Sequence, residues 1–110
     1  MDKILIQGGN PLEGVISIGG AKNASLPIMA ASLLTAEPVV IKQVPDLLDV
    51  AIMIKIIKAL GANVSYDKSQ EKVNIHLPEI NRHKVPHELG SRMRASFLVV
   101  GPLLARFKKA

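Results

Sequence analysis

The sequence contains no cysteine and no tryptophan, and one tyrosine and two phenylalanines are its only large aromatic residues. Without cysteine, these 110 residues can form neither disulfide bonds nor thiolate metal sites, and such a composition fits a cytosolic protein. The shortage of aromatic side chains disfavours a protein that binds single-stranded nucleic acid by stacking its bases.

A long apolar segment and an export signal are missing as well. The longest run without a charged residue lies between Lys22 and Glu37. It is shorter than the ~20 residues that a membrane-spanning helix needs, and it contains Pro27. The first residues, MDKILIQGGN, lack the apolar core of a secretory signal. We therefore expect a cytoplasmic protein without a membrane span.

Apolar residues make up 48% of the sequence, which suits a layered fold with a substantial core. The length is that of one ordinary domain or of a piece of a larger one. The formal net charge of +5 favours anionic partners such as nucleic acid, phosphorylated metabolites or lipid headgroups. Most basic residues are spread along the chain, and this spread disfavours a clustered basic face for nucleic acid.

Apolar periodicity and turn residues predict an alternation of strands and helices. The predicted strands are residues 3–7, 14–19, 38–42, 63–66 and 72–77, and the predicted helices are residues 23–35, 47–60 and 91–107. We expect a hairpin around DKSQEK, a helix end at Gly61, and a cap at Asp46 or Asp49. Residues 78–90 predict a polar connection, and Gly101–Pro102 should disturb the last helix. This order predicts α/β or α+β layering.

Two segments of the sequence resemble each other. KNASLPIMAASLL at residues 22–34 aligns with MRASFLVVGPLLA at residues 93–105, so that the two Ala-Ser pairs coincide. A basic residue stands near the beginning of each segment, Lys22 in one and Arg94 in the other. If the match is a repeat, the chain holds one βαβαββ unit and the beginning of a second.

Lys22 follows the glycines Gly19 and Gly20 at the predicted start of a helix. The positive end of the helix dipole disfavours a cation there unless an anion binds nearby. Free backbone N–H groups, glycines that allow close approach and an ammonium group together make an anion site. The segment GGAKN fits neither the Walker loop nor the dinucleotide-binding fingerprint, so a simple turn with a solvated lysine is the alternative.

Arg92 and Arg94 suggest a second anion site, because guanidinium groups suit phosphate and carboxylate. Arginine stems lying over the surface are the alternative. His83 and His87 have i,i+4 spacing, but Pro86 opposes a helix there, and no further ligand completes a metal site.

Two other candidates have plainer interpretations. His76 is interpreted as an ordinary strand residue. The terminal RFKK is interpreted as a solvated end that could contact nucleic acid non-specifically.

The segments GAKNASLPIMAASLL, LGA and MRASFLVVGPLLARF together resemble the N-terminal part of the UDP-N-acetylglucosamine 1-carboxyvinyltransferases, a group within the enolpyruvyl transferase family. The resemblance covers essentially the whole chain and is least distinctive at residues 66–90. Enzymes of this family that act on shikimate 3-phosphate read differently after the lysine, where Asn23-Ala24 favours the sugar-nucleotide enzymes.

The resemblance implies an inside-out barrel of repeated βαβαββ units. It also implies transfer of the enolpyruvyl group of phosphoenolpyruvate to the 3-hydroxyl of UDP-N-acetylglucosamine, in peptidoglycan synthesis and without metal or organic cofactor. Lys22 would be catalytic, binding phosphoenolpyruvate and stabilising charge, and Asn23 would orient phosphoenolpyruvate and the sugar. Arg94 would contact the UDP-sugar, whereas no role is implied for Arg92. The implied partners are small molecules, not nucleic acid or a membrane.

The family pattern also has parts that this sequence lacks. In the family, a Pro-Gly-Gly-Cys-type loop with a catalytic Cys or Asp normally follows, as do a carboxylate that serves as general base and further arginines. Residues 1–21 would pack with the domain formed by the far end of the chain, and residues 22–110 would be a partial domain. We therefore expect an N-terminal part that is inactive by itself. A small basic nucleic-acid-binding module is the alternative function.

Overall fold

Three short strands form an antiparallel sheet, and helices cover one of its faces. The computed structural model describes residues 2–80 and 84–110. The strands are β1 (Val39–Ile41), β2 (Asn63–Asp67) and β3 (Lys72–His76). The helices are α1 (Lys22–Ala31), α2 (Leu48–Ala59), α3 (His87–Gly90) and α4 (Val100–Phe107), with 3-10 helices at Ser32–Leu34 and Arg94–Val99.

The central strand β3 pairs antiparallel with both β1 and β2, which confirms the predicted hairpin. Val73 and Ile75 of β3 are buried in the core, whereas Asn74 between them is exposed. On the outer face, Asn74 Nδ2 donates to Ser65 Oγ of β2 at 3.3 Å. One face of the sheet is therefore apolar and the other polar, as expected of an antiparallel sheet in an α+β fold.

The core lies between this sheet and the helices. Leu26 and Met29 of α1 follow helical spacing and are at most 3% exposed. Met53, Ile56 and Ile57 of α2 show the same spacing and are fully buried. Burying one such side chain stabilises the fold by about 1.5–3 kcal/mol, so these positions hold both helices against the sheet.

The end of α2 confirms the prediction made for Gly61. Gly61 has a positive φ of 104°. Its N–H donates to the Lys58 carbonyl at 3.0 Å, and the Ala62 N–H donates to the Ile57 carbonyl at 3.3 Å. These two bonds form a Schellman motif, which favours glycine because of the positive φ.

The prediction that Asp46 or Asp49 caps α2 is wrong. The helix begins at Leu48, between the two aspartates, and its N-cap residue is Leu47, which makes no side-chain cap bond. Asp49 lies within the first turn, and Asp46 precedes the N-cap position. Neither carboxylate therefore stands at the position from which a cap accepts backbone hydrogen bonds.

The strands predicted at residues 3–7 and 14–19 are also not formed. Residues 2–19 contain no strand, and Leu5 and Val15 are 97% and 100% exposed. A strand exists only through hydrogen bonds to a neighbouring strand, and the sheet of the described residues consists of β3 paired with β1 and β2. The other elements of the predicted βαβαββ unit are present, in the order α1, β1, α2, β2 and β3. The packing of residues 1–21 on another domain stays a prediction, and Met1 lies outside the described residues.

The last predicted helix is divided into the 3-10 helix Arg94–Val99 and the α-helix α4. Pro102 is the third residue of α4, where its missing N–H costs little. The predicted disturbance is therefore the change from 3-10 to α geometry, which falls just before Gly101–Pro102.

Part of the predicted connection at residues 78–90 forms the short helix α3. Residues 81–83, and with them the candidate His83, lie outside the described residues. Of the described helices, none combines the length and the apolar character needed to cross a membrane.

Arg106 shows that the interpretation of RFKK as a solvated end is wrong for its first residue. The Arg106 guanidinium donates to the carbonyls of Leu33 at 3.1 Å, Thr35 at 2.8 Å and Pro78 at 3.0 Å. Its carbon atom Cζ also lies 4.6 Å from the centre of the Phe107 ring. Carbonyls at a helix end have no hydrogen-bond partner within the helix. Arg106 supplies donors to such carbonyls at the end of the 3-10 helix Ser32–Leu34, which continues α1.

We expect Arg106→Lys to lower the free energy of unfolding by about 1–3 kcal/mol, because an ammonium group cannot reach all three carbonyls. Urea unfolding followed by circular dichroism measures the change. Lys109→Arg is the matched control, since it also keeps the charge but lies at an exposed position. Equal free energies of unfolding for both variants would contradict the structural role of Arg106.

Candidate functional site

Lys22, Asn23 and Arg94 line one hollow of about 590 Å³, so the structure brings the predicted site residues together. Lys22 and Asn23 are the first two residues of α1, and Arg94 is the first residue of its 3-10 helix. Two segments that are distant in the sequence therefore present a cation to the same space. The lining also includes Leu26, Asp49, Met93, Ala95, Phe97 and Leu98.

The backbone at Gly20 determines where α1 begins. A Cβ atom at Gly20 would lie 1.5 Å from the carbonyl oxygen of Gln43, so only glycine fits there. Gln43 itself has a φ of 59°, which is uncommon for a residue with a side chain. At Gly19, in contrast, nothing lies within 4 Å of the Cβ position. The turn before Lys22 is thus in close contact with the segment that leads into α2.

Tyr66 of β2 anchors the segment between β1 and α2. Its hydroxyl donates to the Val44 carbonyl at 2.7 Å, and the Val44 N–H donates to the Glu71 carbonyl at 2.9 Å. Burial raises the pKa of Tyr66, and the negative charges of Asp46 and Glu71 raise it further. The hairpin therefore supports the segment against which the Gly20 backbone packs.

Asp49 lines the hollow as well, although the sequence suggested only a capping role for it. Its Oδ2 atom lies 2.9 Å from Lys22 Nζ, and the two side chains are 31% and 42% exposed. The cation at the start of α1 therefore has a carboxylate partner within the chain. One signal in the sequence could have indicated this partner: a carboxylate near the start of the next helix, where the dipole stabilises negative charge.

The charged lining consists of two cations and one carboxylate, which leaves an excess of positive charge. Arg94 is exposed and takes part in neither of the ion pairs found among the described residues. Phe97, 76% exposed, and Leu98, 39% exposed, add an apolar side to the hollow. A hollow of about this size with apolar walls and a few charged groups is typical of small-molecule sites.

The other candidates lie outside this hollow. Arg92 and His87 are exposed and do not line it, and His76 lies in β3. Within residues 2–80 and 84–110, no group of three or more histidine, aspartate or glutamate side chains could hold a metal ion. Tyr66 and Phe107 contact Val44 and Arg106 within the chain, which leaves few aromatic faces for stacking nucleic-acid bases.

Comparison with known proteins supports the resemblance noted in the sequence. Residues 6–110 match the EPSP synthase family, described as 3-phosphoshikimate 1-carboxyvinyltransferase. A UDP-N-acetylglucosamine 1-carboxyvinyltransferase 2 from Carboxydothermus hydrogenoformans is 48% identical, and a UDP-N-acetylglucosamine 1-carboxyvinyltransferase from Wolbachia sp. subsp. Drosophila simulans is 47% identical. Both alignments cover 100% of this chain but only 26% and 27% of the relatives. The predicted resemblance is confirmed, and the chain spans about a quarter of these relatives.

The crystal structure of the enolpyruvyl transferase NikO from Streptomyces tendae is similar in fold. It matches with a TM-score of 0.77 and 29% sequence identity over 90% of this chain and 23% of its own. The prediction of an enolpyruvyl transferase fold is thereby confirmed.

Gly20→Ala should lower the free energy of unfolding by about 1–3 kcal/mol, because the added methyl group forces the Gln43 carbonyl away. The same displacement should shift the amide signals of Lys22 and Asn23 in NMR spectra. Gly19→Ala provides the control, with a change within about 1 kcal/mol and unshifted signals. Similar effects of the two substitutions would show that the close contact at Gly20 does not position α1.

Tyr66→Phe should lower the free energy of unfolding by about 1 kcal/mol near neutral pH, because the hydrogen bond to Val44 is lost. The raised pKa of Tyr66 makes the native state bind more protons than the unfolded state above about pH 10. The stabilisation is therefore complete below that pH and is lost as the pH rises through the folded-state pKa. Urea unfolding at about pH 8 and about pH 11 should show the two proteins converging, and a constant difference would contradict this assignment.

Proposed function

This chain belongs to the EPSP synthase family of carboxyvinyltransferases, and we propose that it contributes the hollow at α1 to an enzyme of this family. The proposed reaction transfers the enolpyruvyl group of phosphoenolpyruvate to the 3-hydroxyl of UDP-N-acetylglucosamine and releases phosphate. The names of the relatives at 47% and 48% identity support this choice of substrates. Because the chain spans about a quarter of those relatives, the reaction is proposed for a whole protein of their length.

The observation that carries the proposal is the convergence of Lys22, Asn23 and Arg94 on one hollow. Phosphoenolpyruvate bears a phosphate and a carboxylate, and UDP-N-acetylglucosamine bears a diphosphate. Two cations at neighbouring helix starts suit this pair of ligands, because each cation and each helix start favours negative charge. The apolar side formed by Phe97 and Leu98 leaves room for the uncharged parts of the ligands.

Each of the three residues has a proposed role. Lys22 binds phosphoenolpyruvate and stabilises the negative charge that moves onto the phosphate as the C–O bond to it breaks. Asn23, the next residue of α1, orients phosphoenolpyruvate and the sugar through its amide group. Arg94 contacts the diphosphate of the sugar nucleotide, because its fork of N–H donors fits two phosphate oxygens at once.

This activity belongs to peptidoglycan synthesis in the cytoplasm, where both substrates are dissolved small molecules. A nucleic-acid-binding module is a weaker explanation of the positive charge. Of the three aromatic side chains, Tyr66 and Phe107 are engaged within the chain, and both cations of the site lie in a hollow of small-molecule size.

We expect phosphoenolpyruvate to bind this chain weakly, in the millimolar range, and to shift the NMR amide signals of Lys22 and Asn23. Lys22→Met should weaken binding about tenfold or more, because a charge-assisted hydrogen bond is lost. Lys55→Met is the matched control, since Lys55 lies on the exposed side of α2, away from the hollow.

A parallel titration with UDP-N-acetylglucosamine should depend on Arg94 more than on Arg92. Arg94→Gln should weaken this binding several-fold, whereas Arg92→Gln should leave it nearly unchanged. Equal effects of Lys22→Met and Lys55→Met, or of the two arginine variants, would contradict the assigned roles. Tight binding of single-stranded RNA with a steep salt dependence would favour the nucleic-acid alternative.

A further inference from the structure

The ion pair between Lys22 and Asp49 connects the first turns of two helices at the wall of the hollow. Lys22 Nζ lies 2.9 Å from Asp49 Oδ2, and both side chains line the hollow. An anion that approaches Lys22 therefore meets a carboxylate that already contacts the same ammonium group.

The backbone position of Asp49 is set by its own helix and not by the ion pair with Lys22. It is the second residue of α2, where free N–H groups and the helix dipole stabilise a negative charge. The next residue, Val50, is fully buried, which fixes this turn against the core. The carboxylate therefore stays beside the hollow when Lys22 turns towards another partner.

The ion pair is exposed enough to be exchanged. The Lys22 and Asp49 side chains are 42% and 31% exposed, so water screens their attraction and keeps the pair weak. The ammonium group carries three donors on a flexible stem and can turn from one acceptor to another. A phosphate group, with two negative charges and several acceptor oxygens, attracts the ammonium more strongly than a single carboxylate does.

We propose that Asp49 is the resident counter-ion of the anion site. It pairs with Lys22 while the hollow is empty, competes with an incoming anion, and takes the ammonium group back when phosphate leaves. The competition keeps the free phosphate released by the reaction from remaining on Lys22. This inference rests on the proposed function in taking a phosphate-bearing anion as the ligand and free phosphate as a product.

A positioning role for Asp49 predicts the opposite result. If the carboxylate served mainly to hold Lys22 ready for a ligand, removing its charge would weaken anion binding. Competition predicts stronger binding after the charge is removed, with a gain that grows with the charge of the ligand. The sign of the change and its dependence on ligand charge therefore distinguish the two roles.

The test uses Asp49→Asn, which keeps the shape of the side chain and removes its charge. The probes are inorganic phosphate and acetate at about pH 8, and NMR titration of the whole chain gives the dissociation constants. Phosphate should bind Asp49→Asn about five- to tenfold more tightly than wild type, and acetate only about two- to threefold, since Coulomb repulsion scales with ligand charge. Both gains should shrink as salt is added.

Asp46→Asn is the matched control, because it removes the same charge three residues earlier in the chain. Asp46 lies 3.7 Å from Lys68 Nζ and does not line the hollow. Phosphate affinity should therefore change little in this variant. Adding Lys22→Met to Asp49→Asn should abolish the gain, because the gain depends on the released ammonium group.

Weaker phosphate binding by Asp49→Asn would overturn the proposal in favour of a positioning role. Equal effects of Asp49→Asn and Asp46→Asn would also overturn it, and so would an absence of phosphate binding in both wild type and Asp49→Asn. A Lys22-dependent gain for phosphate, together with no specific effect of phosphoenolpyruvate or UDP-N-acetylglucosamine, would support the counter-ion while rejecting the proposed function.

Discussion

The contact between the backbone at Gly20 and the carbonyl of Gln43 relates the starts of α1 and α2 to each other. No side chain fits between these two backbones, so the turn before α1 lies directly on the segment before α2. That segment is held in turn by the Tyr66 hydroxyl and by the hairpin. The positions of Lys22 and Asp49 are therefore consequences of close backbone packing and of a sheet that lies outside the hollow.

The same arrangement resolves the unfavourable position of a lysine at a helix start. The dipole of α1 destabilises the positive charge of Lys22, whereas the dipole of α2 stabilises the negative charge of Asp49. The ion pair between the two side chains offsets the unfavourable position of Lys22. Arg94 adds a second cation from a distant segment. The hollow thus combines two cations with a carboxylate that pairs with one of them, and under the proposed function its affinity for an anion depends on the balance of the two.

Local sequence patterns predicted the elements that depend on neighbouring residues. The hairpin and the helix end at Gly61 follow from short-range turn geometry, and α1 follows from its own apolar spacing. Local patterns failed for residues 3–7 and 14–19, because an extended apolar run becomes a strand only beside a partner. They also failed for Arg106, whose carbonyl partners Leu33 and Thr35 lie in a segment far from it in the sequence.

By itself, the sequence determined the α+β class, the family resemblance and the chemistry offered by Lys22, Asn23 and Arg94, because these follow from residue type, spacing and short motifs. Only the tertiary structure decided that the three residues share one hollow and that Asp49 stands beside Lys22 and does not cap α2. The physical reason is that charge pairing and cavity shape depend on distances across the fold. Those distances are set by backbone contacts, such as the one at Gly20, between segments that no local pattern relates.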